Sequence, residues 1–163
     1  MIEVEKILEA ITQLSQQGKI KEFGVSNFTP SQVDLITSEV PVSVNQIECS
    51  LTHFNPLFNG SLDQCIIKKI IPMAWSPLGN VFKESTDQVH RINKQLEPLE
   101  AKYAATKDQI LLAWLLKHPS GILPVIGTTN KKRIRLASEA STIELELEDW
   151  FLLLVASQGH KVP

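Results

Sequence analysis

The sequence predicts an α/β fold in which four parallel strands alternate with helices along one domain, residues 1–163. Two patterns predict it: short β-branched runs alternate with stretches of helical apolar spacing, and short turn segments separate them. No Gly/Ser-rich linker divides the chain. Regular strand–helix alternation with short connections is typical of parallel strands joined by right-handed helical crossovers.

The chain opens with an amphipathic helix and a short strand. Apolar residues recur at helical spacing over residues 2–17, and Gly18 supplies a stop signal. Residues 21–25 predict a strand that is buried on both faces. The segment Thr29–Gln32 is a capping box with proline at the first helical position, so a second helix is expected to run to about residue 38.

The remaining chain repeats the strand–helix unit three times. Apolar or β-branched runs bounded by turn residues predict strands over 42–50, 70–75 and 122–126. Thr106, with Gln109 three residues later, forms another capping box. The predicted helices span 61–69, 91–104, 107–117, a segment capped by Thr129 or Asn130 that ends near 138, and 146–157, and residues 80–90 are predicted to be an exposed loop.

Composition and charge are those of a soluble globular protein, with 43% apolar and 21% charged residues. The net charge of -2 gives no electrostatic reason to expect nucleic acid or an anionic membrane as a partner. No apolar run is long enough to span a bilayer, and the acidic first residues do not fit a signal peptide. Cys49 and Cys65 lack CxxC spacing and a nearby His cluster, so we expect reduced thiols in a cytoplasmic protein and no metal site.

Small polar residues stand where three of the predicted strands end. They are Ser26-Asn27, Trp75-Ser76 and the run Gly127–Thr129, and Gln46 adds an amide inside an otherwise apolar strand. In parallel α/β proteins these carboxyl ends form the binding face. Hydrogen bonds within a tight turn would explain any one of these residues, whereas polar residues in the same place at four strands favour a shared ligand.

The residue types indicate which ligand would fit. Asn27 and Gln46 suit an amide-like group, Trp75 suits a flat ring, and the run Gly127–Thr129 ahead of a helix suits a phosphate. Lys131–Arg133 place cations in the first turn of that helix, where they oppose the helix dipole unless an anion is bound. A nicotinamide dinucleotide combines all three groups.

Four segments, GKIKEFGVSNF, VNQIE, PMAWSPLG and LPVIGTTNKKRI, resemble in order and spacing the aldo-keto reductases, especially bacterial members. The resemblance covers essentially the entire chain. It implies a partial barrel: the C-terminal half, strands five to eight, of a (βα)8 barrel, beginning at the helix after strand four. It also implies NADP(H) as cofactor and hydride transfer to a small carbonyl substrate.

The resemblance assigns roles by position. Ser26, Asn27 and Gln46 match the residues that hold the nicotinamide carboxamide, and Trp75 matches the aromatic residue that stacks on the nicotinamide ring. The remaining matches are Ser76 and Leu78 along the pyrophosphate, and Gly127, Thr128, Thr129 and Arg133 around the adenosine 2′-phosphate. The chain departs from the family at Leu136 and Ala137, which replace a Glu and an Asn that contact adenine, and at Asn80-Val81-Phe82, which replaces a glycine-rich segment.

No residue of this chain is predicted to be catalytic. The family's Asp, Tyr, Lys and His come from the first four strands of the barrel. Tyr103, the only tyrosine, is predicted to be a packing or surface residue without a Lys-Asp-His context. Of the histidines, His53 follows a strand and could border the pocket, whereas His90, His118 and His160 are predicted to lie at a helix end or in solvent.

A half barrel leaves two unpaired strand edges, so we expect self-association, pairing with a partner, rearranged edges, or a fragment of a longer chain. Three functions remain open. The chain is the cofactor-binding half of a reductase that needs the missing half for activity, a non-catalytic nucleotide- or protein-binding module from a truncated or degenerate gene, or an α/β scaffold without a ligand.

Overall fold

The computed structural model describes residues 4–161, in which four strands form one parallel sheet in chain order. The strands are β1 Gly24–Ser26, β2 Val44–Glu48, β3 Ile71–Trp75 and β4 Leu123–Pro124. The helices are α1 Val4–Gln16, α2 Pro30–Thr37, α3 Ser61–Lys68, α4 Asp87–Tyr103, α5 Lys107–Leu116, α6 Lys131–Glu139 and α7 Leu147–Gln158, with 3₁₀ turns at Asn55–Leu57 and Ala140–Thr142. The predicted alternation of parallel strands and helices is confirmed.

Local capping sets where three of these helices begin. The capping box of Thr29 with Gln32 forms in both directions, and Thr106 with Gln109 forms the second one. Asn130, one of the two residues predicted to cap α6, accepts hydrogen bonds from the backbone of Lys132 and Arg133. These caps satisfy N–H groups that the helices themselves leave unpaired.

Three elements differ in extent from the prediction. β1 begins at Gly24 rather than at residue 21, since the preceding Lys21 and Glu22 are exposed. β4 has two residues instead of five because, among residues 4–161, β3 is its only strand partner, and Pro124 has no N–H to donate. α4 starts at Asp87, four residues early, because Thr86 caps it by accepting from Val89 N.

Helices cover one face of the sheet and leave the other open in the described part of the chain. Val25, Ile47 and Ala74 are buried against the helix layer, whereas Ile71 on β3 and Leu123 on β4 are 46% and 47% exposed. The expectation that the first strand is buried on both faces is therefore wrong. β1 alternates exposed, buried, exposed because no element of residues 4–161 packs on its second face.

The buried amide of β2 is Asn45, one residue before Gln46. Asn45 points into the helix layer at 2% exposure and donates from Nδ2 to the Phe28 carbonyl at 3.0 Å, while its Oδ1 has no partner. Gln46 is only half-buried and shares the open face. The alternation of side chains along a strand separates these two neighbours, so Gln46 remains available at the surface.

The main core lies between the sheet and helices α4, α5 and α7. Trp114 and Trp150 stack at 5.1 Å between ring centroids, and each indole N–H donates to the backbone carbonyl of the other residue, at 3.1 and 2.8 Å. This reciprocal pair joins α5 to α7. A smaller cluster under β1, α2 and α3 contains Val25, Val33, Ile36, Val42, Cys65 and Ile70.

Both cysteines are free and buried. Burial raises the pKa of Cys49 to about 12 and the pKa of Cys65 to about 11, because a thiolate would lose its solvation there. Neither thiol is therefore a nucleophile at neutral pH.

The amphipathic helix α1 contributes no buried side chain to the described structure. Its predicted first residues, 2 and 3, lie outside the described residues. Within 4–161, no helix combines the length and the apolar character that crossing a bilayer requires.

Candidate functional site

The polar residues singled out in the sequence lie at one edge of the sheet. Ser26 ends β1, Trp75 ends β3, and the run Gly127–Thr129 follows β4. All pairings are parallel, so the carboxyl ends of the strands meet at the same edge. The strand register places Ser26 beside Gln46 and Glu48 beside Trp75.

A hydrogen-bonded pair joins β1 and β3 at this edge. The Trp75 indole N–H donates to Asn27 Oδ1 at 2.9 Å, and Asn27 N donates to the Gln46 carbonyl at 2.9 Å. Asn27 has φ 55°, in the left-handed region that asparagine tolerates better than most residues. The turn therefore fixes both the indole ring and the amide.

The polar groups left over after these bonds suit a carboxamide. Asn27 Nδ2 and both polar atoms of the Gln46 side chain form no hydrogen bond within residues 4–161. Ser26 donates its hydroxyl hydrogen to the Gln46 carbonyl at 3.1 Å, so its oxygen can still accept. Free donors and free acceptors thus stand together at the edge, which is the complement of an amide group.

A cleft of about 700 Å³ lies between the segment after β3 and the segment after β4. Five predicted positions line it: Ser76, Leu78, Gly127, Thr128 and Arg133. Thr129 is exposed and does not line the cleft, unlike Gly127, Thr128 and Arg133, with which it was predicted to surround the 2′-phosphate.

Cations supply the charge of this cleft. Lys83, Lys132 and Arg133 line it, and all three are exposed. Two first-turn amides of α6 are already engaged, because Asn130 Oδ1 accepts from Lys132 N at 3.0 Å and from Arg133 N at 3.2 Å. These two N–H groups therefore do not meet the expectation that helix amides hold a phosphate. The cationic side chains are the groups available to bind one.

Two glycines shape the cleft in different ways. A Cβ on Gly127 would meet no atom within 4 Å, so there is open space beside this residue. The packing of the chain therefore does not require glycine there. A Cβ on Gly79, at φ 54°, would collide with the Thr52 hydroxyl and lie 2.6 Å from Ser50 Oγ. Asn80 N also donates to Thr52 Oγ1 at 3.0 Å, so the segment after β3 is fixed against the turn after β2.

A second pocket, of about 340 Å³, surrounds the Asn27–Trp75 pair. His53 lines it, as the sequence analysis allowed, and its Nδ1 lies 3.8 Å from Glu48 Oε2. The pocket therefore brings an imidazole and a carboxylate to the indole of Trp75. Glu48 was not predicted to be a site residue, because a carboxylate at the end of a strand carries no signal by itself.

Tyr103 has a lysine and an aspartate as neighbours, which are two of the three residue types in the Lys-Asp-His context that its sequence position did not show. Its hydroxyl donates to Asp149 Oδ2 and accepts from Glu146 N at 3.0 Å, while Lys102 Nζ bonds Asp149 at 2.7 Å and Glu146 at 2.6 Å. These residues join the end of α4 to the start of α7, and none of them lines either pocket at the sheet edge. Tyr103 is a packing residue, as predicted.

The ionisations in this group follow from the contacts. Burial raises the pKa of Tyr103, and the hydrogen bond to Asp149 raises it further. For Asp149, burial alone would raise the pKa, but hydrogen bonds from Lys102 and Tyr103 outweigh it and lower the pKa. Hydrogen bonds to Asp149 and Glu146 raise the pKa of Lys102. The three side chains are thus held as a neutral phenol, a carboxylate and an ammonium.

Other candidate groups offer less chemistry. Burial lowers the pKa of His118, whose Nδ1 lies 2.9 Å from Ser120 Oγ. Among residues 4–161 there is no group of three or more His, Cys, Asp or Glu side chains placed to hold a metal ion.

The model of the Aldo/keto reductase family matches residues 2–153. The chain belongs to the aldo-keto reductase family. It is 38% identical over its whole length to the uncharacterized oxidoreductase YcsN of Bacillus subtilis, of which it covers 56%. The chain thus spans about half the length of the curated relatives that it matches, which makes it a partial aldo-keto reductase.

Solved structures of the family share the fold. The thermostable aldo-keto reductase Tm1743, solved with the inhibitor epalrestat, matches 95% of this chain at a TM-score of 0.85 and 27% identity; 55% of that protein is covered. An aldo-keto reductase of Bombyx mori, solved with NADP, matches 94% at a TM-score of 0.73 and 26% identity; 50% of it is covered. The predicted half of an eight-stranded barrel is confirmed.

Four further residues with chemically distinct side chains line the 700 Å³ cleft. Phe82 and Lys83 lie in the 80–90 loop, which was predicted to be exposed, whereas Asp108 and Leu112, which were not singled out in the sequence, lie on α5. For Phe82, the signal in the sequence is an aromatic residue within an otherwise polar loop. The position of α5 beside the cleft depends on tertiary packing, which no local pattern reports.

Proposed function

We propose that this chain is the NADP(H)-binding half of an aldo-keto reductase that transfers a hydride to a small carbonyl substrate. The observation that carries the proposal is the cleft, in which the predicted positions Ser76, Leu78, Gly127, Thr128 and Arg133 meet two lysines at one edge of the sheet. The Asn27–Trp75 pair lies at the same edge. A relative of known structure was solved with NADP.

The nicotinamide end would lie at the Asn27–Trp75 pair. Asn27 Nδ2 is free to donate to the carboxamide oxygen, and Gln46 Oε1 is free to accept from the carboxamide nitrogen. The Trp75 indole, held by its bond to Asn27, offers a flat face for the ring. Two hydrogen bonds and one stacking surface from these residues would orient the ring when the cofactor is bound.

The phosphate end would lie in the cleft. Lys132 and Arg133 offer cationic groups that helix packing leaves exposed, and the Thr128 hydroxyl can still donate after accepting from Asn130 N at 3.2 Å. Phosphate oxygens accept strongly from such groups, and guanidinium can bind them in a bidentate way. We assign Arg133 to the 2′-phosphate that distinguishes NADPH from NADH.

The cofactor, when bound, supplies the hydride, and the carbonyl oxygen must receive a proton from another group. Tyr103 is unsuited to this task because its hydroxyl already donates to Asp149 in the helix layer. We propose that the proton donor comes from the part of the barrel that this chain does not span. This chain's own residues would bind the cofactor, orient its ring and hold its phosphates.

The experiment is a fluorescence titration of the purified 163-residue chain with NADPH, followed by an aldehyde reduction assay. We expect quenching of tryptophan fluorescence and a blue shift of NADPH emission, without turnover. Addition of the N-terminal half of a family member should restore turnover. No spectral change at high micromolar NADPH would refute cofactor binding, and turnover by the chain alone would refute the missing proton donor.

A non-catalytic binding module is the second candidate, and the placement of Tyr103 favours it. The sequence has one tyrosine, and that residue joins α4 to α7 instead of lining either pocket at the sheet edge. This candidate predicts NADPH binding that no added half-barrel converts into turnover. The complementation assay therefore distinguishes the two functions.

We also propose a cytoplasmic location. Two buried thiols that form no disulfide are suited to a reducing compartment. Localisation of a fluorescent fusion tests this, and an extracytoplasmic signal would contradict it.

A further inference from the structure

The 700 Å³ cleft has two kinds of lining. One part carries the cations Lys83, Lys132 and Arg133, which suit phosphates. Another part is apolar and is too extended for a phosphate site alone. Its members are Leu78, Phe82, Leu112, Ile126, Leu136 and Ala137. If the nicotinamide ring lies at Trp75, the other flat group of the dinucleotide, its adenine, is the group that such a lining would take.

Phe82 presents an aromatic ring to the cleft from an anchored loop. The preceding Val81 is buried at 4%, whereas Phe82 is 56% exposed. Asn80 N donates to Thr52 Oγ1 at 3.0 Å and fixes the start of the same loop. A base that stacks on an aromatic ring buries its apolar face without needing a particular set of hydrogen bonds. Phe82 therefore gives the cleft a stacking surface.

Asp108 is the one carboxylate among the described residues that line the cleft. It is half-buried in the first turn of α5, and its side chain has no hydrogen bond or ion pair among residues 4–161. Leu112 lies one turn further along on the same face of α5. An acidic residue is favourable in any first helical turn. This explains why Asp108 is acidic, but it does not explain why Asp108 lies in a cleft lined by cations.

Gln109 holds Asp108 in position relative to α6. Its side chain is buried, accepts from Thr106 N at 3.0 Å and donates from Nε2 to the Leu136 carbonyl at 3.0 Å. The first turn of α5 and the middle of α6 are thus joined through one amide. Asp108 and Leu136 therefore face the cleft as one fixed wall.

We infer that Asp108 reads the base of the dinucleotide by accepting a hydrogen bond from the exocyclic amino group of adenine, which packs between Phe82 and Leu136. This inference rests on the proposed function and adds base selection to it. A carboxylate can accept from the amino group of adenine. Hypoxanthine carries a carbonyl oxygen at that position, which a carboxylate repels, so the chain selects an adenine dinucleotide over its deaminated analogue.

The test compares NADPH with nicotinamide hypoxanthine dinucleotide phosphate, using isothermal titration calorimetry on the 163-residue chain. The wild-type chain should bind NADPH more tightly by about ten-fold or more, the scale of one lost hydrogen bond to a charged group. Asp108→Asn should remove most of this preference, because an amide can accept from the amino group or donate to the carbonyl. Asp87→Asn, in the first turn of α4 and outside the cleft lining, should keep the preference.

Phe82→Ala should weaken both dinucleotides by about ten-fold, the scale of base stacking on an aromatic ring. Phe58→Ala, which removes another exposed phenylalanine (53%) outside the cleft, should leave both unchanged. Thermal melting checks that each variant is folded.

The outcomes separate the two levels of the proposal. Equal affinity of the wild-type chain for both dinucleotides would overturn base reading by Asp108 and leave cofactor binding intact. Equal losses for both dinucleotides in Asp108→Asn would assign Asp108 to the ribose and would also overturn the inference. If neither dinucleotide binds, the proposed function fails, and base selection fails with it.

Discussion

The replacement of Trp75 by alanine tests whether the edge of the sheet holds a nicotinamide ring. Trp75 is half-buried and its indole N–H donates to Asn27 Oδ1 at 2.9 Å, so the ring has a fixed position beside the second pocket. Loss of the stacking surface should weaken NADPH binding by about 1 to 2 kcal/mol, or roughly 5- to 30-fold in Kd.

The hydrogen bond to Asn27 separates stacking from positioning. Trp75→Phe keeps an aromatic face and removes the N–H, so it should cost less than Trp75→Ala, about 0.5 to 1 kcal/mol. Asn27→Ala removes the carboxamide donor and leaves the indole N–H without its partner. The double variant Asn27→Ala/Trp75→Phe should lose less than the sum of the single losses, because the two residues are in contact.

The assay is the quenching of tryptophan fluorescence by NADPH, repeated by calorimetry for the variants that lack Trp75. Trp114→Phe is the control for fluorescence, since Trp114 is buried in the helix layer and reports on folding instead of on the sheet edge. Identical NADPH affinity in the wild-type chain and Trp75→Ala would refute the stacking role and would leave Trp75 as a packing residue only.

Four further outcomes are expected. Arg133→Ala should weaken NADPH more than NADH in a binding titration, because only NADPH carries the extra phosphate; equal losses would reject the 2′-phosphate role. Asp149→Asn should lower the free energy of unfolding at pH 7 by about 1 to 2 kcal/mol in urea titrations. Because the pKa of Asp149 is lowered in the folded state, its contribution to stability is complete above the ordinary pKa of 3.8 and is lost as the pH falls through the folded-state pKa. The stability difference between the wild-type chain and Asp149→Asn should therefore shrink in acid, and a pH-independent difference would contradict this. Trp150→Ala should destabilise the chain by about 3 to 5 kcal/mol, because a stacked, 8% exposed indole leaves a cavity; a loss below about 1 kcal/mol would mean that the α5–α7 pair carries little stability. Light scattering after gel filtration should show self-association through the open sheet, and Leu123→Lys should reduce it while Ile67→Lys, at a 79% exposed position on α3, does not; a monomeric wild-type chain would refute self-association.

The parts of the fold that depend on local chemistry could be predicted from the sequence. The capping boxes at Thr29 and Thr106 form as predicted because an N-cap and its N3 partner are only three residues apart. The alternation of strands and helices is also a local signal. The limits of β1 and β4 could not be predicted, since they depend on which strand lies alongside and which faces are covered.

The candidate site divides in the same way. Asn27 and Trp75 were predicted to share an edge, and they share a hydrogen bond as well. The sequence could not show that Asn130 engages two first-turn amides of α6, because a cap and a phosphate site have similar residue patterns. Asp108 was missed because α5 reaches the cleft through packing against α6, 27 residues further along the chain at the Gln109–Leu136 contact.

Tyr103 illustrates the same limit for chemistry. Its partner Asp149 is 46 residues away in the sequence, so no local context revealed the lysine–tyrosine–aspartate group at the junction of α4 and α7. A lysine, a tyrosine and an aspartate in contact would, by residue type alone, suggest a catalytic group at this junction. Its position in the helix layer indicates a structural one.

Gly79 affects how any mutational study of this chain should be interpreted. The residue is wedged against Ser50 and Thr52, so even a methyl group would force the stretch after β3 away from the turn after β2. Trp75 would then shift along with the loop that carries Phe82. Gly79→Ala should thus weaken recognition of both ends of a dinucleotide together, although Gly79 has no side chain with which to touch either end.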